Sequence, residues 1–260
     1  MTNQDIRIEL RGKHKEVAVL RMTRAAKRNA INDALIASLR HLFETMPASV
    51  RAAVVVGDGE HFCAGLDLSE LKERDAGQGM HHSRSWHAAL EHVQFGPVPV
   101  IAALHGAVVG GGLELASACH IRVADESTFY ALPEGSRGIF VGGGGSVRIP
   151  KLVGVACMTD MMLTGRVYNA VDGERKGFAQ YLVPTGQAFE KALEIAQRVA
   201  QNAPLTNYAL MHALPRIAEQ SADHGFFTEA MMAAIAQSAP EAKERVKAFL
   251  DGKAAKVRKS

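Results

Sequence analysis

Cysteine is scarce in this sequence. Only Cys63, Cys119 and Cys157 occur, an odd number set far apart with no C-x-x-C pair. That excludes a disulfide framework and a cysteine-based zinc site, and it points to a reducing, cytoplasmic setting. Long apolar runs are also missing. None approaches the roughly 18 residues that a membrane-spanning helix needs, so no membrane is expected. The opening stretch IRIELRGKHKEVAVL alternates polar and apolar residues and carries acids, which reads as strands opening a domain and not as a signal peptide. No charge of one sign dominates, since 30 Lys and Arg face 27 Asp and Glu. The small basic excess gathers in the tail DGKAAKVRKS, the pattern of a solvated end. With no RNA-recognition or helix-turn-helix signature, nucleic acid is not expected as a partner. The phosphate-binding glycine motifs fail as well. Gly57-x-Gly59 breaks at Phe62, Gly142-x-Gly144 breaks at Val147, and no glycine loop ends in G-K-[ST]. His81, His82 and His87 lack the spacing of a metal set, and Ser117 and Ser146 have no His-Asp pattern around them.

What is present is a chain of 260 residues, 47% of them hydrophobic, enough to bury a sizeable core. Strand candidates are Val17 to Leu20, Ala53 to Val56, Val98 to Leu104, Ile121 to Ala124, Phe129 to Leu132 and Tyr181 to Val183. Several are near-continuous apolar runs, as strands covered on both faces tend to be. Asn32 is placed to cap a helix whose apolar residues Leu35, Ile36, Leu39, Leu42, Phe43 and Met46 recur at helical spacing, and a second helix is expected over Gln78 to Phe95. The alternation predicts an α/β core over residues 1–185. From residue 186 to 260 the pattern is helical throughout, punctuated by Pro204, Pro215 and Pro240. The apolar stripe of Phe226, Phe227, Met231 and Met232 is first read as intramolecular core, with a subunit contact as the other reading.

The stretch HGAVVGGGLELASACH, residues 105–120, sets the chemical question. Three consecutive glycines, Gly110 to Gly112, give up more backbone freedom on ordering than any other residues would. Glu114 follows among Leu113, Leu115 and Ala116, where an ionised carboxylate is costly to bury. Glycines that lead a strand into a helix leave amides unpaired at a positive dipole end, where an anion or a developing oxyanion is stabilised.

Four blocks, AKRNAIND, GEHFCAGLDL, the glycine stretch and YALPEGSRGIFVGGGGSVR, together resemble the crotonase (enoyl-CoA hydratase/isomerase) family. Phe62 to Asp67 stands where the family has F-x-A-G-A-D. Gly106 through Ala116 keeps G-x-x-x-G-G-G-x-E-L-A, and Pro133, Glu134 and Val141 to Ser146 follow the P-E and second glycine block. The resemblance runs over about the whole chain. It implies a crotonase-like spiral of ββα units with a helical oligomerisation region, assembled as a trimer or a dimer of trimers. It implies an acyl-CoA thioester as substrate, with coenzyme A part of that substrate and no separate cofactor or metal.

By motif position, the backbone amides of Leu66 and Gly111 would form the oxyanion hole. Ala64, Gly65, Leu66, Asp67, Gly110 and Gly142 would contact CoA or substrate, and Glu114 and Glu134 would be the catalytic pair. Two carboxylates on one water can activate it at C3 and protonate C2, so the pair favours hydration of a 2-enoyl-CoA to a 3-hydroxyacyl-CoA. Enoyl-CoA isomerisation or other oxyanion-hole chemistry on the same fold is the alternative. From a different class comes an idle member that binds acyl-CoA or RNA. The departures are Leu66 in place of alanine, Val141 in place of proline and Gly143 in place of alanine. The tail only approximates, with Phe249 and Lys253, the residues that the family turns toward a neighbouring subunit's CoA. The acyl pocket is expected to be lined from the segment Leu71 to Phe95.

Overall fold

The computed structural model describes residues 5–70 and 73–253, so Leu71, the start of the expected pocket segment, and most of the basic tail lie outside the described residues. The chain forms two compact units, Met1–Ala200 and Gln201–Ser260.

In the first unit, β1 (Ile6–Arg11) and β2 (Val17–Met22) form an antiparallel hairpin. Helix α1 (Asp33–Glu44) leads to β3 (Ala52–Gly57), and α2 (Ala76–Gln94) leads to β4 (Val100–Leu104). After β5 (Ala107–Val109) come α3 (Gly111–Ala118), β6 (Ile121–Asp125) and β7 (Phe129–Ala131). Then follow α4 (Gly145–Val153), α5 (Val155–Thr164), β8 (Tyr168–Asn169), α6 (Ala170–Lys176), β9 (Tyr181–Val183) and α7 (Ala188–Ala200). The main sheet has the order β1-β2-β3-β4-β6-β9, parallel after the first hairpin, and a smaller sheet has the order β5-β7-β8.

The central strands are apolar on both faces because both faces are covered. Val17, Val19, Val54, Ile101 and Val123 pack under Ala192, Ile195 and Ala196 of α7. The alternate residues Ala18, Leu20, Val55, Ala102 and Leu104 point the other way, into the core shared with Leu35, Leu39 and Phe43 of α1 and Leu90 of α2. Helix α7 falls within the terminal helical section of the sequence reading, yet it packs on the sheet of the first unit. Helix α1 starts where the Asn32 side chain accepts from the Leu35 amide at 2.8 Å, as expected, and α2 starts in a capping box between Asp75 and Gln78.

The second unit is helical. Helix α8 (Pro204–Tyr208) continues through a π turn (Ala209–Ala213) into α9 (Leu214–Ile217), followed by α10 (Ala222–Ser238) and α11 (Pro240–Leu250). Here the intramolecular reading of the apolar stripe is corrected. Phe226, Phe227 and Met231 are exposed, at 69%, 70% and 51%, because the apolar residues of α10 are not gathered on one face and a single chain covers only part of them. Among the described residues, no helix is long and apolar enough to cross a membrane.

Candidate active site

The small sheet assembles the site. Strands β5 and β7 run parallel, with Val109 opposite Ala131, so both chains leave the sheet on the same side. One continues into Gly110 and α3, the other into Pro133 and Glu134. A single bridge between Cys63 and Val108 lays the GEHFCAGLDL loop along the other edge of β5, with Cys63 N donating to Ala107 O at 2.9 Å and Val109 N to Cys63 O at 3.1 Å. Three segments distant in sequence thus end side by side.

Close packing of these loops explains the glycines. Gly110 has φ +51°, a left-handed value that suits glycine, and a Cβ there would lie 2.7 Å from Glu134 Oε1. A Cβ on Gly112 would meet Cys63 O at 2.4 Å, and one on Gly111 would lie 3.1 Å from the Trp86 ring. The spiral brings backbone against backbone, and the Gly111 amide comes out at the first position of α3. Among the described residues neither Leu66 N–H nor Gly111 N–H finds an acceptor. The bridge of Ile31 to Leu66 uses Gly65 O and the Asp67 amide, passing over the Leu66 amide between them.

Leu66, Gly111, Glu114, Glu134 and Gly142 line one cavity of about 390 Å³. The other predicted contact residues serve the loops around it. Gly65, at φ +98°, has its carbonyl bonded by Ile31 N, and Gly110 N donates to Ala131 O at 3.0 Å. The Ala64 amide donates to Arg28 O at 3.0 Å. Asp67 is buried and turned to Ser69, Arg24 and Lys27, with oxygen contacts of 2.6, 2.7 and 2.9 Å. The Ser69 hydroxyl, then Lys27 and Arg24, hold its carboxyl far below the usual carboxylate range. Its side chain is an anchor for the loop that presents Leu66.

The two glutamates sit in different surroundings. Glu114 Oε1 accepts from the amides of Gly143 and Gly145, both at 2.8 Å. Burial pushes its carboxyl above the ordinary range, opposed by those amides and by Arg148. Glu134 Oε2 is buried with no hydrogen-bond partner, and burial pushes its carboxyl up as well, opposed by its own backbone amide and aided by repulsion from Glu114. Two amide donors favour the ionised form of Glu114, while at Glu134 burial outweighs the backbone hydrogen bond that favours ionisation.

Sequence reasoning missed the supports of this pair. The second glycine block supplies the amides that grip Glu114, and a Cβ on Gly145 would fall 2.8 Å from Glu114 Cγ. Buried Arg148 bonds Gly143 O at 3.0 Å and Gln94 Oε1 at 2.6 Å, locking that loop to α2. Trp86 packs its ring against both Gly111 and Gly143. The glycine spacing was the available signal, but the contacts span about thirty residues, since 143 − 114 = 29. His82 lines the cavity. His105 and His120 bond backbone groups, and Cys63 and Cys119 are buried thiols whose pKa burial pushes up to about 12.

A family model described as enoyl-CoA hydratase/isomerase matches residues 12–258. The chain belongs to that family. It is 31% identical over 240 residues to the 2,3-dehydroadipyl-CoA hydratase of Escherichia coli (strain K12), covering 92% of this chain and 93% of that protein. A crystal structure of a Rhodopseudomonas palustris CGA009 protein superposes with a TM-score of 0.93 at 57% identity, covering 96% and 95% of the two chains. The enoyl-CoA hydratase of Bacillus anthracis superposes with a TM-score of 0.89 at 30% identity, covering 96% and 97%.

Proposed function

We propose that the chain is an enoyl-CoA hydratase that adds water across the 2,3-double bond of a 2-enoyl-CoA. The observation that carries this reading is one cavity lined by two buried glutamates and by the residues of two uncommitted amides. The thioester oxygen accepts from Leu66 N–H and Gly111 N–H, and the negative charge that builds on it during addition is met at the positive end of α3. Glu114, steadied by Gly143 and Gly145, takes a proton from water as the water oxygen bonds to C3. The former π electrons at C2 take the proton of Glu134, so one water has been added. The proton held by Glu114 then passes to Glu134, which resets the pair. Isomerisation needs one group that carries a proton between C2 and C4, so the second buried carboxylate favours hydration.

The assembly is a trimer or a dimer of trimers in a cytoplasmic setting, and the exposed phenylalanines of α10 support contact between copies. Mass spectrometry after incubation with 2-butenoyl-CoA tests the reaction. A product heavier by one water is expected. An unchanged substrate, with 3-enoyl-CoA converted at constant mass, would make the chain an isomerase.

A further inference from the structure

The cavity is not a hydrocarbon slot throughout. Leu66, Trp86, Ile139, Phe140 and Val141 make much of its wall, but Arg74 lines it too. The Arg74 side chain is only 23% exposed, and its charge partner Asp33 stands 3.8 Å away with its own side chain 65% exposed. Asp33 makes its close contact elsewhere, with His82 Nε2 at 2.7 Å. Among the described residues no hydrogen bond engages the Arg74 guanidinium, which has five N–H donors in a planar fork.

Helix α2 sets the direction. Trp86 touches the Gly111 end, and Ser83, His82 and Gly79 line the cavity successively toward the start of the helix, with Arg74 just before the Asp75 cap. Trp86 lies seven residue steps along the helix from Gly79, a rise of about 10 Å. An acyl chain whose thioester oxygen sits at Leu66 and Gly111 therefore extends along α2 toward the guanidinium.

We propose that Arg74 is a specificity-determining residue that selects 2-enoyl-CoA substrates whose acyl chain ends in a carboxylate. The inference rests on the hydratase reading above. A carboxylate accepts the guanidinium fork in a paired geometry, whereas an alkyl end would strip water from the charge without replacing it. Asp33, held by His82, orients the guanidinium from its solvent side.

The test is the ratio of kcat/KM for 2-hexenedioyl-CoA over 2-hexenoyl-CoA, measured for the wild type, Arg74→Met and Arg74→Lys. The wild type is expected to prefer the dicarboxylic substrate. Arg74→Met should lower the ratio about 10- to 100-fold, the scale of a charge-assisted hydrogen bond, with Lys in between. A ratio that Arg74→Met leaves unmoved, even with both rates reduced, would put Arg74 on the CoA portion common to both substrates and overturn the proposal. A wild-type preference for 2-hexenoyl-CoA would also overturn it while leaving the hydratase reading standing. Hydration of neither substrate would bring down both.

Discussion

Glu134 shows what the site costs the fold. Its folded-state pKa is raised, first by burial and then by Glu114. A raised pKa means that the native state binds the proton more tightly than the unfolded chain does. The stability that this contributes is complete below the ordinary glutamate value and is lost as pH rises through the folded one. At neutral pH the buried carboxyl of Glu134 is therefore a burden on the native state, because the unfolded chain ionises it more readily, and Oε2 has no partner to offset the cost. Glu134→Gln should raise stability at neutral pH by about 1 kcal/mol, or roughly 2–4 °C in Tm for a chain of this size. The gain should shrink as pH falls toward the ordinary carboxylate range. Thermal unfolding of both proteins across that pH range checks it, and a variant less stable than wild type at neutral pH would show that the carboxylate has a partner. Both glutamates were legible in the sequence because each sits in a distinctive block. The assignment of Glu114 to water and Glu134 to C2 was also made from the sequence, but the amides of Gly143 and Gly145 that hold Glu114 were not legible, because only the folded chain brings them there.

At the scale of elements, α3 does two things with one end. It starts at glycines packed so closely that Cys63 O leaves no room for a side chain at Gly112 and the Trp86 ring would have to shift slightly for one at Gly111, a residue that lines the cavity. Proline is well tolerated at a first helical position but has no N–H. Gly111→Pro and Gly111→Ala both push a Cβ toward Trp86, where it would stand at 3.1 Å, and only the alanine variant keeps the donor. The proline variant should have a kcat about 10²–10³ lower than the alanine variant, the value of one oxyanion donor. Equal rates would remove Gly111 from the oxyanion hole. The strand-into-helix reading of this stretch came from its glycines and the apolar run after them. Strands β5 and β8, of three and two residues, gave no periodic signal to read, although β5 is the strand that aligns the three loops. The helices between Gly145 and Lys176 are short, with Pro150 inside α4 and Gly154 and Gly165 at helix ends, which hid their period.

For the whole molecule, the α/β alternation was readable because strands buried on both faces are apolar without interruption, as in β3 with Ala52 to Val56. The terminal helices were readable as helices, but not where their apolar residues go, because composition alone does not separate a core from an interface. Exposed Phe226, Phe227, Phe249 and Leu250 make a lone chain a poor match for water. Light scattering at micromolar concentration should give three or six times 27.9 kDa. Phe226→Glu with Phe227→Glu should shift the mass toward that of one chain, and a wild-type monomer would refute the assembly.

The central claim is that Glu114 and Glu134 act as a unit on one water, and a double-mutant cycle tests it most directly. Hydration of 2-butenoyl-CoA is to be measured for the wild type, Glu114→Gln, Glu134→Gln and the double variant. Each single change should cost several orders of magnitude, and the double variant should lose little more than either one, because groups that act together are strongly non-additive. Single effects that multiply in the double variant, or normal hydration by Glu114→Gln, would contradict the paired-carboxylate mechanism.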